Sequence, residues 1–449
     1  MTPLPEEHSR ERQRLLAAYV RVRGTTERLA APLTDEDQGL QSQPSSSPTK
    51  WHRAHTTWFW ETFVLGPRGS PPVDARYARL YNSYYVALGP RHARPKRGLL
   101  SRPSVAEIGA YRRAVDAQMT ALLESASPEE VSALRPLLEL GLAHEEQHQE
   151  LLLTDILHAF SENPLLPAYR PGKDGVPAST GDAAALRFVP IAGGLRDIGA
   201  APGTGFRFDN EEPRHRVYVA PFELGSRLVT VGEWKAFDDA GGYRTPSLWL
   251  SDGWDWVCRE GVTAPGYARR EGGELVVFGL DGPRTARDDE PLAHVSYYEA
   301  DALARFMQAR LPTEEEWETA AADARLDGNF LELLEAGAPP SLRPLAVTRD
   351  GAAANAGVQQ LFGDAWQWTR SAYSPYPGFR EAPGAVGEYN GKFMVNQLTL
   401  RGGSCFTPRG HVRPTYRNFW PPETRFQMTG VRLARDAGET RTREKRGDA

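Results

Sequence analysis

The stretch GLAHEEQHQELLLTDILHAF, residues 141–160, carries two histidines four positions apart within a long apolar segment. Positions i and i+4 of an α-helix lie on one face, so the pattern predicts a packed bundle helix on which His144 and His148 can bind one metal ion together. The same residues satisfy the H-E-x-x-H pattern of zinc metallopeptidases, in which Glu145 would be the general base. A third ligand elsewhere in the chain decides between these hypotheses.

The sequence on either side of the stretch limits the choice of that third ligand. Downstream, Leu151 and Thr154 occupy the positions at which the metzincin pattern H-E-x-x-H-x-x-G-x-x-H has its glycine and last histidine, which excludes that class. Spacing alone leaves a glutamate ligand of the thermolysin type open. Upstream, SPTKWHRAHTTW, residues 47–58, supplies His52 and His55 on a second predicted helix. Facing helices of a bundle are suited to sharing a metal ion.

The composition limits the class of protein. A chain of 449 residues, 40% of them hydrophobic, exceeds the size of one hydrophobic core and predicts at least two domains. The formal net charge of -5 gives no reason to expect a nucleic-acid or anionic-membrane partner. The sequence has two cysteines, Cys258 and Cys405, too few for a disulfide framework or a cysteine-built metal site. Histidine and carboxylate side chains must therefore hold any metal.

Export and membrane insertion are not expected from the sequence. The N-terminus lacks the apolar segment of a signal peptide, and no run of about 18 apolar residues occurs. We therefore expect a cytoplasmic protein.

Helical periodicity dominates the first third of the chain. Apolar residues recur at helical spacing in the segments 6–30, 48–65, 105–125 and 128–160, which predicts that residues 1–165 form a helical bundle. Residues 166–185 are rich in Pro, Gly and small side chains, and we expect them to form a linker.

The remainder of the chain has a different character. Over residues 186–435, short β-type stretches alternate with many Gly, Trp and Tyr residues, and helical spacing is clear only at 231–240 and 297–310. This pattern predicts a loop-rich α+β domain. The charged tail, residues 436–449, is expected to be disordered.

Six segments of the chain, taken in order, resemble the ergothioneine-type sulfoxide synthases. SPTKWHRAHTTWFWETF (47–63), YNSYYVALGPRHARPKRGLLSRPS (81–104) and LGLAHEEQHQELLLTDILHAF (140–160) are similar to the DinB-like four-helix bundle that holds a non-haem iron in that family. RLPTEEEWE (310–318), GDAWQWT (363–369) and RGGSC (401–405) resemble the formylglycine-generating-enzyme fold, a C-type-lectin-like α+β domain, which is fused to the bundle. The resemblance spans residues 5–435 and implies an α plus (α+β) architecture.

The resemblance implies an Fe(II) site held by His55, His144 and His148, with His52 as the alternative ligand. Three neutral imidazoles leave further coordination positions of Fe(II) open. The implied reaction joins the sulfur of L-cysteine to C2 of the imidazole of hercynine, which is N-trimethylhistidine, and uses O2 to oxidise that sulfur. The product would be hercynylcysteine sulfoxide, an intermediate of ergothioneine biosynthesis.

Other candidate residues of the first domain take their roles from the same resemblance. The NSYY segment that ends at Tyr85 is similar to one in the type II subgroup, which uses free cysteine, so Tyr84 and Tyr85 are candidate donors of a proton, or of a proton and an electron. Packing is the alternative role for two such tyrosines. Arg94 and Arg97 are candidates for binding the carboxylate of cysteine, because a guanidinium matches a carboxylate with two hydrogen bonds. Gln147 either binds hercynine or is a polar helix residue.

In the second domain, the resemblance assigns Asn418 and Phe419 to hercynine and Trp420 to the thiol side. A quaternary ammonium group donates no N–H hydrogen bond and needs an aromatic face or an acid, which suits Phe419. The subgroup that uses γ-glutamylcysteine has an aspartate at the position aligned with Trp420, so this residue favours free cysteine.

Several other functions stay open as alternatives. A selenoneine synthase would use a selenosugar in place of cysteine, and an ovothiol-type enzyme would form the bond at C5. A zinc metallopeptidase and a non-catalytic binding protein belong to different classes. The oxidation of protein cysteines by formylglycine-generating enzymes is not expected, since Cys258 and Cys405 are far apart in sequence and Cys405 is predicted to be a packing residue. Asp364 and Gln367 stand where that fold often has Asn and Glu, which argues against a structural calcium ion.

Overall fold

The computed structural model describes residues 5–170, 184–331, 342–347, 357–381, 387 and 390–438. Almost all of these residues belong to two compact units, one within Met1–Arg170 and the other within Pro171–Glu381 and Asn390–Ala449. Most of the predicted linker, 171–183, and the predicted tail beyond Gly438 lie outside the described residues. None of the helices in these ranges is both long enough and apolar enough to cross a membrane.

The first unit is helical. Its described residues contain α1 (Pro5–Ala30), α2 (Thr49–Phe59), α3 (Tyr77–Tyr81), α4 (Val105–Ser125) and α5 (Pro128–Ser161). The four longer helices form a bundle in which α1 and α2 each pack against α4 and α5. The predicted helical bundle is therefore confirmed. A π-helical turn, Trp60–Leu65, continues α2 and accounts for the greater length predicted for this segment.

Capping boxes start the two longest sequence-predicted helices after α1. Ser104 accepts a hydrogen bond from the backbone N–H of Glu107, and the Glu107 carboxylate accepts one from the backbone N–H of Ser104. Ser127 and Glu130 form the same reciprocal pair at the start of α5. Each box satisfies backbone donors that the first helical turn would otherwise leave without a partner. The serine before each helix therefore fixes where the helix begins.

Close contact between α5 and the end of α2 depends on a glycine. A Cβ atom at Gly141 would lie 2.5 Å from the Trp60 ring and 2.9 Å from the Phe59 ring, closer than real Cβ contacts. Both aromatic side chains are fully buried in the core of the unit. Only glycine allows α5 to approach this aromatic layer, and the approach brings the following turn of α5, with His144, against α2.

The second unit mixes short helices and strands. Its helices are α6 (Val231–Asp239), α7 (Ser251–Glu260), α8 (Tyr297–Phe306) and α9 (Glu314–Ala321). Its strands are β1 (Phe188–Ile191), β2 (Gly194–Ile198), β3 (His215–Val219), β4 (Phe222–Gly225), β5 (Ala268–Glu271), β6 (Glu274–Gly279), β7 (Gly282–Thr285), β8 (Gly328–Asn329), β9 (Phe362–Gly363), β10 (Trp366–Ala372), β11 (Leu398–Arg401), β12 (Asn418–Trp420), β13 (Thr429–Gly430) and β14 (Ala434–Asp436). The expected loop-rich α+β domain is confirmed. Helices α7 and α9 were not expected from periodicity.

Small sheets, rather than one large sheet, organise the described part of this unit. The largest has the strand order β12-β11-β10-β13, and a second has the order β1-β4-β14. In the largest sheet β10, β11 and β12 are antiparallel, while β13 runs parallel to β10. Asn418 pairs with Leu400, and Trp420 pairs with Leu398, which fixes the register of β12.

A buried ion network ties α9 to this sheet. Arg401 donates hydrogen bonds to Glu314 and Glu318 at 3.2 and 2.9 Å, and Arg417 donates two to Glu314, both at 2.9 Å. All four side chains are at most 5% exposed. Breaking one partner of such a network leaves an uncompensated buried charge. The RLPTEEEWE and RGGSC segments therefore hold the fold together.

The side chain of Gln367, in the GDAWQWT segment, is held by two buried partners. The Gln367 side-chain oxygen accepts hydrogen bonds from Trp317 Nε1 at 2.9 Å and from Arg432 Nε at 2.6 Å. Arg432 also donates to the backbone carbonyls of Gly225, Gln359 and Gln360. The guanidinium of Arg432 thus satisfies three backbone carbonyl oxygens as well as the side chain of Gln367. Cys405 is fully buried in the same unit, and Cys258 is exposed.

Candidate metal centre

Three histidines converge in the bundle. His55 projects from α2, and His144 and His148 project from successive turns of α5. One nitrogen of each ring lies within 4.8 Å of the corresponding nitrogens of the other two, and the Nε2 atoms of His55 and His144 are 3.1 Å apart. His55 and His144 are fully buried, and His148 is slightly more accessible as a whole residue. The structure brings together the three ligands that the sequence suggested.

Burial favours the neutral form of the three imidazoles. Burial lowers the pKa of His144 to about 3. Burial, and then the proximity of the other rings, holds the pKa values of His55 and His148 well below their ordinary range. Neutral imidazole is the form that binds metals, and a shared cation removes the mutual repulsion of closely placed lone pairs. The donor set therefore fits a divalent transition metal.

His55 is held in one orientation by its surroundings. Its Nδ1 donates a hydrogen bond to the backbone carbonyl of Tyr81 at 2.6 Å, which leaves the Nε2 lone pair available. The ring is stacked near the indoles of Trp51 and Trp58, at centroid distances of 4.6 and 5.8 Å. A backbone acceptor and two aromatic contacts thus fix both the tautomer and the direction of this ligand.

His52 lies outside the group of three. Its Nδ1 is 2.8 Å from Nδ1 of His148, and its Nε2 is 3.0 Å from the carboxylate of Asp155. The side chain is almost completely buried. Its position behind His148 does not support the sequence-based alternative that it replaces His55 as a ligand. Asp155 had not been predicted, although it lies seven residues after His148 and hence on the same face of α5.

Glu145 has no access to the metal-binding group as a general base. Its fully buried carboxylate accepts hydrogen bonds from Arg23 and Arg112, both at 3.0 Å, and from Thr26 and Trp60. Burial would raise the pKa of Glu145, but the two guanidinium groups lower it to about 2. A carboxylate in this clamp neither accepts a proton at neutral pH nor reaches a substrate. The arrangement excludes the metallopeptidase hypothesis.

The tyrosine pair packs beside the same aromatic group. Tyr85 is fully buried, and its ring contacts Trp58, which is also stacked near His55. The hydroxyl groups of Tyr84 and Tyr85 are 3.4 Å apart, and Tyr84 is partly exposed. Asn82 shapes the loop, because its side chain both donates to the carbonyl and accepts from the N–H of Tyr85. The loop therefore holds the two hydroxyls side by side.

Arg97 is a buried cation next to this group. It is 2% exposed, and its guanidinium lies 3.4 Å from the centroid of the Trp51 ring. It donates hydrogen bonds to the hydroxyls of Ser47 and Ser83, at 2.9 and 3.1 Å, and its Nε has no acceptor among the described residues. Burial lowers the pKa of Arg97, so the charge of its guanidinium is costly in this position and an anion bound beside it would stabilise it. Arg94, three residues earlier, has an exposed side chain.

The other sequence-predicted residues occupy separate positions. Gln147 is partly buried on α5. Asn418, Phe419 and Trp420 belong to the second unit, where they form β12 and are partly accessible. The Phe419 ring stacks on Tyr373, with 4.0 Å between centroids, and the Trp420 ring meets the ring of Phe426 edge to face at 5.2 Å.

Comparisons with known proteins agree with this division. Residues 18–152 match the DinB superfamily, and residues 175–437 match the sulfatase-modifying factor enzyme 1-like domain. The chain is 33% identical to the hercynine oxygenase of Mycolicibacterium thermoresistibile, over 95% of each chain. It is 34% identical to the hercynine oxygenase of Mycobacterium tuberculosis, over 94% of this chain and 99% of that one. The corresponding protein of Mycolicibacterium smegmatis is 32% identical over 90% of this chain and 94% of its own length.

Proposed function

This chain belongs to the hercynine oxygenase family, and from that premise we propose that it uses Fe(II) and O2 to join the sulfur of L-cysteine to C2 of the hercynine imidazole, giving hercynylcysteine sulfoxide. The observation that carries the proposal is the buried group of three neutral histidines beside a buried arginine that has no carboxylate partner among the described residues. Such a site suits a metal together with an anionic substrate.

His55, His144 and His148 would hold the Fe(II). The rings are neutral, and the tautomer of His55 is set with its Nε2 lone pair available. When bound there, Fe(II) supplies a redox-active Lewis-acid centre with coordination positions that the protein leaves open. The protein groups described below orient the substrates around that centre and handle protons.

Arg97 would bind the carboxylate of cysteine. A guanidinium offers parallel N–H donors that match a carboxylate, and the interaction is strengthened where water is excluded. Ser47 and Ser83 hold the fork in place, and Trp51 supports its face. Arg94 would approach the same carboxylate from the exposed side of the loop. A selenosugar has no carboxylate and would leave Arg97 uncompensated, so this arrangement favours an amino-acid thiol.

Tyr84 and Tyr85 would supply the proton that the reduction of oxygen requires. Tyr85 is the buried member of the pair, and Tyr84 contacts solvent, so the two hydroxyls form a short path along which a lost proton can be replaced. A positioned general acid of this kind accelerates proton transfer by about 10²- to 10⁴-fold.

Asn418 and Phe419 of the second unit are candidates for binding hercynine. The partly accessible ring of Phe419 offers an aromatic surface to the trimethylammonium group, and Asn418 offers an amide to its polar end. Gln147 of the first unit would hydrogen-bond the imidazole or the carboxylate. Trp420, on the thiol side, and the NSYY segment both favour free cysteine over γ-glutamylcysteine.

Oxygen consumption with mass-spectrometric product analysis tests the proposal. Protein loaded anaerobically with Fe(II) is given hercynine and either cysteine or γ-glutamylcysteine, and the matched control is the same protein loaded with Zn(II). A sulfoxide-linked adduct at C2 with cysteine, absent from the Zn(II) control, is expected. An adduct with γ-glutamylcysteine alone would refute the thiol assignment. An adduct at C5 would refute the position of bond formation.

A further inference from the structure

A hydrogen-bonded chain runs from His148, one of the three converging histidines, through His52 to the carboxylate of Asp155. His52 Nδ1 lies 2.8 Å from His148 Nδ1, and His52 Nε2 lies 3.0 Å from Asp155 Oδ2. The same Asp155 oxygen accepts the backbone N–H of Ser47 at 2.7 Å. Asp155 and His52 are 6% and 2% exposed, so water does not substitute for these partners.

The direction of each hydrogen bond follows from the chemistry of its end groups. The Asp155 carboxylate only accepts, so His52 Nε2 carries a hydrogen and donates it. Nδ1 of a neutral His52 then has a lone pair and accepts from Nδ1–H of His148. A neutral imidazole has one N–H, so the lone pair of His148 must be on Nε2. The carboxylate thus determines the tautomer of a ring that it does not touch.

We propose that His52 and Asp155 are positioning residues that hold His148 in the tautomer and orientation in which Nε2 binds the metal. The inference rests on the proposed metal-binding role of His148, but it does not depend on which substrates are used. Partners beyond the ligands themselves commonly change metal affinity by about 10- to 100-fold.

The support is built from the same two helices as the site. His52 precedes His55 by three residues on α2, and Asp155 follows His148 by seven on α5, so each helix carries one supporting residue besides its ligands. His55, in contrast, is fixed by the backbone carbonyl of Tyr81, which no side-chain substitution removes. His148 is therefore the ligand whose support can be removed by substitution.

Asparagine at position 155 gives a matched control. Both donors, the Ser47 N–H and the His52 Nε2–H, point at one oxygen, Oδ2. An asparagine would place its carbonyl oxygen there, because the flipped amide would point its NH2 group at two other donors, the Ser47 N–H and the His52 Nε2–H. Asp155→Asn should therefore keep the acceptor, and with it the tautomer of His148, whereas Asp155→Ala removes both.

Cobalt(II) binding to the full-length protein tests the proposal without any turnover. We expect His52→Ala and Asp155→Ala to weaken Co(II) binding by about 10- to 100-fold and to alter its visible absorption, with Asp155→Asn close to the parent. The melting temperature of the metal-free variants separates this effect from simple destabilisation. Parent-like Co(II) affinity in folded His52→Ala would overturn the proposal, and so would equal losses in Asp155→Asn and Asp155→Ala.

NMR of the parent protein gives a second test that needs no variant. In Zn(II)-loaded protein labelled with ¹⁵N at histidine, His148 should carry its hydrogen on Nδ1 and His52 should carry its hydrogen on Nε2. Binding of the metal by His52, or by Nδ1 of His148, would overturn the assignment. Failure of the sulfoxide reaction would leave both of these measurements unchanged, so the two proposals can fail separately.

Discussion

The guanidinium of Arg97 lies 3.4 Å from the centroid of the Trp51 ring, and the same indole stacks on His55 at 4.6 Å. The arrangement places a buried cation one aromatic ring away from a metal-binding histidine. Within the described part of the chain, Arg97 donates its side-chain hydrogen bonds to the hydroxyl groups of Ser47 and Ser83. A folded protein retains such a disfavoured charge where an anionic ligand compensates it on binding.

Arg97→Met should therefore reduce the use of cysteine without destabilising the fold. Loss of a charge-assisted carboxylate contact should lower kcat/KM for cysteine by roughly 10- to 150-fold, since such bonds contribute about 1.5–3 kcal/mol. Cysteamine lacks the carboxylate, so its kcat/KM should change little, and thermal melting should show no loss of stability. Lys96→Met, which removes an exposed neighbouring cation that has no assigned role, is the control. Equal losses for cysteine and cysteamine would contradict a role in binding the carboxylate.

Glu145→Gln should lower the stability of the fold, because Glu145 is a structural residue and not a general base. Glu145 is clamped by Arg23 and Arg112, and breaking one partner of a buried pair costs about 3–5 kcal/mol. We expect a large fall in the free energy of unfolding, measured with denaturant. Glu146→Gln is the matched neighbour, since its partner Arg21 is 52% exposed and such pairs contribute about 1 kcal/mol or less. A stable Glu145→Gln protein would show that the clamp is not structural.

Glu145 and its two histidine neighbours on α5 show why the sequence predicted candidate ligands but not their surroundings. The spacing of His144 and His148 places both on one face whatever that face meets, so the pattern predicted that they could share an ion, and the resemblance added His55. Glu145 lies about 100° from His144 around the axis of α5. Its two arginine partners come from α1 and α4. Whether it meets an ion or two arginines depends on packing across the bundle, which spacing does not encode.

The roles of His52 and Asp155 were hidden for a related reason. A histidine three residues before a ligand can rotate towards the ion or away from it, and the hydrogen bond to His148 selects between these positions only once α2 and α5 are packed. In the second unit, α9 was missed because it has eight residues, too few for clear periodicity, although Thr313 and Glu316 form a capping box at its start.

Asp364 should make stability depend on pH between its unfolded and folded pKa values. Burial raises the pKa of Asp364 from its ordinary 3.8 to about 6, although Leu345 N–H and Asn329 donate to its carboxylate. The folded state then binds more protons than the unfolded state in this window, so its stability falls as pH rises from about 4 to 6, by about 3 kcal/mol from this group. The free energy of unfolding of Asp364→Asn, measured with denaturant across this range, should rise relative to that of the parent as pH rises. A difference in the free energy of unfolding that does not change with pH would contradict the assignment.

Tyr84→Phe and Tyr85→Phe should retain metal but change the product. Without the proton donor, oxygen activation should proceed towards simple dioxygenation of the thiol, so the ratio of cysteine sulfinate to sulfoxide adduct should rise. Co(II) binding should remain at the parent level, because neither hydroxyl belongs to the three-histidine group. Tyr77→Phe is a control for loss of a hydroxyl elsewhere in the aromatic core. Sulfoxide formation at the parent rate in both variants would rule out the role.

Phe419→Leu should lower the selectivity for the trimethylammonium group of hercynine. Leucine keeps an apolar side chain but lacks the ring face that attracts a cation, an interaction of about 0.5–2 kcal/mol, or roughly 2- to 30-fold. Because this loss should not apply to histidine, which has no quaternary ammonium, the ratio of kcat/KM for hercynine to that for histidine is the informative measurement. Phe393→Leu, which alters the neighbouring ring 5.9 Å away, tests whether aromatic packing alone explains the effect. An unchanged ratio in Phe419→Leu would move the trimethylammonium site away from β12, since a ring that contacts this group must contribute to the discrimination.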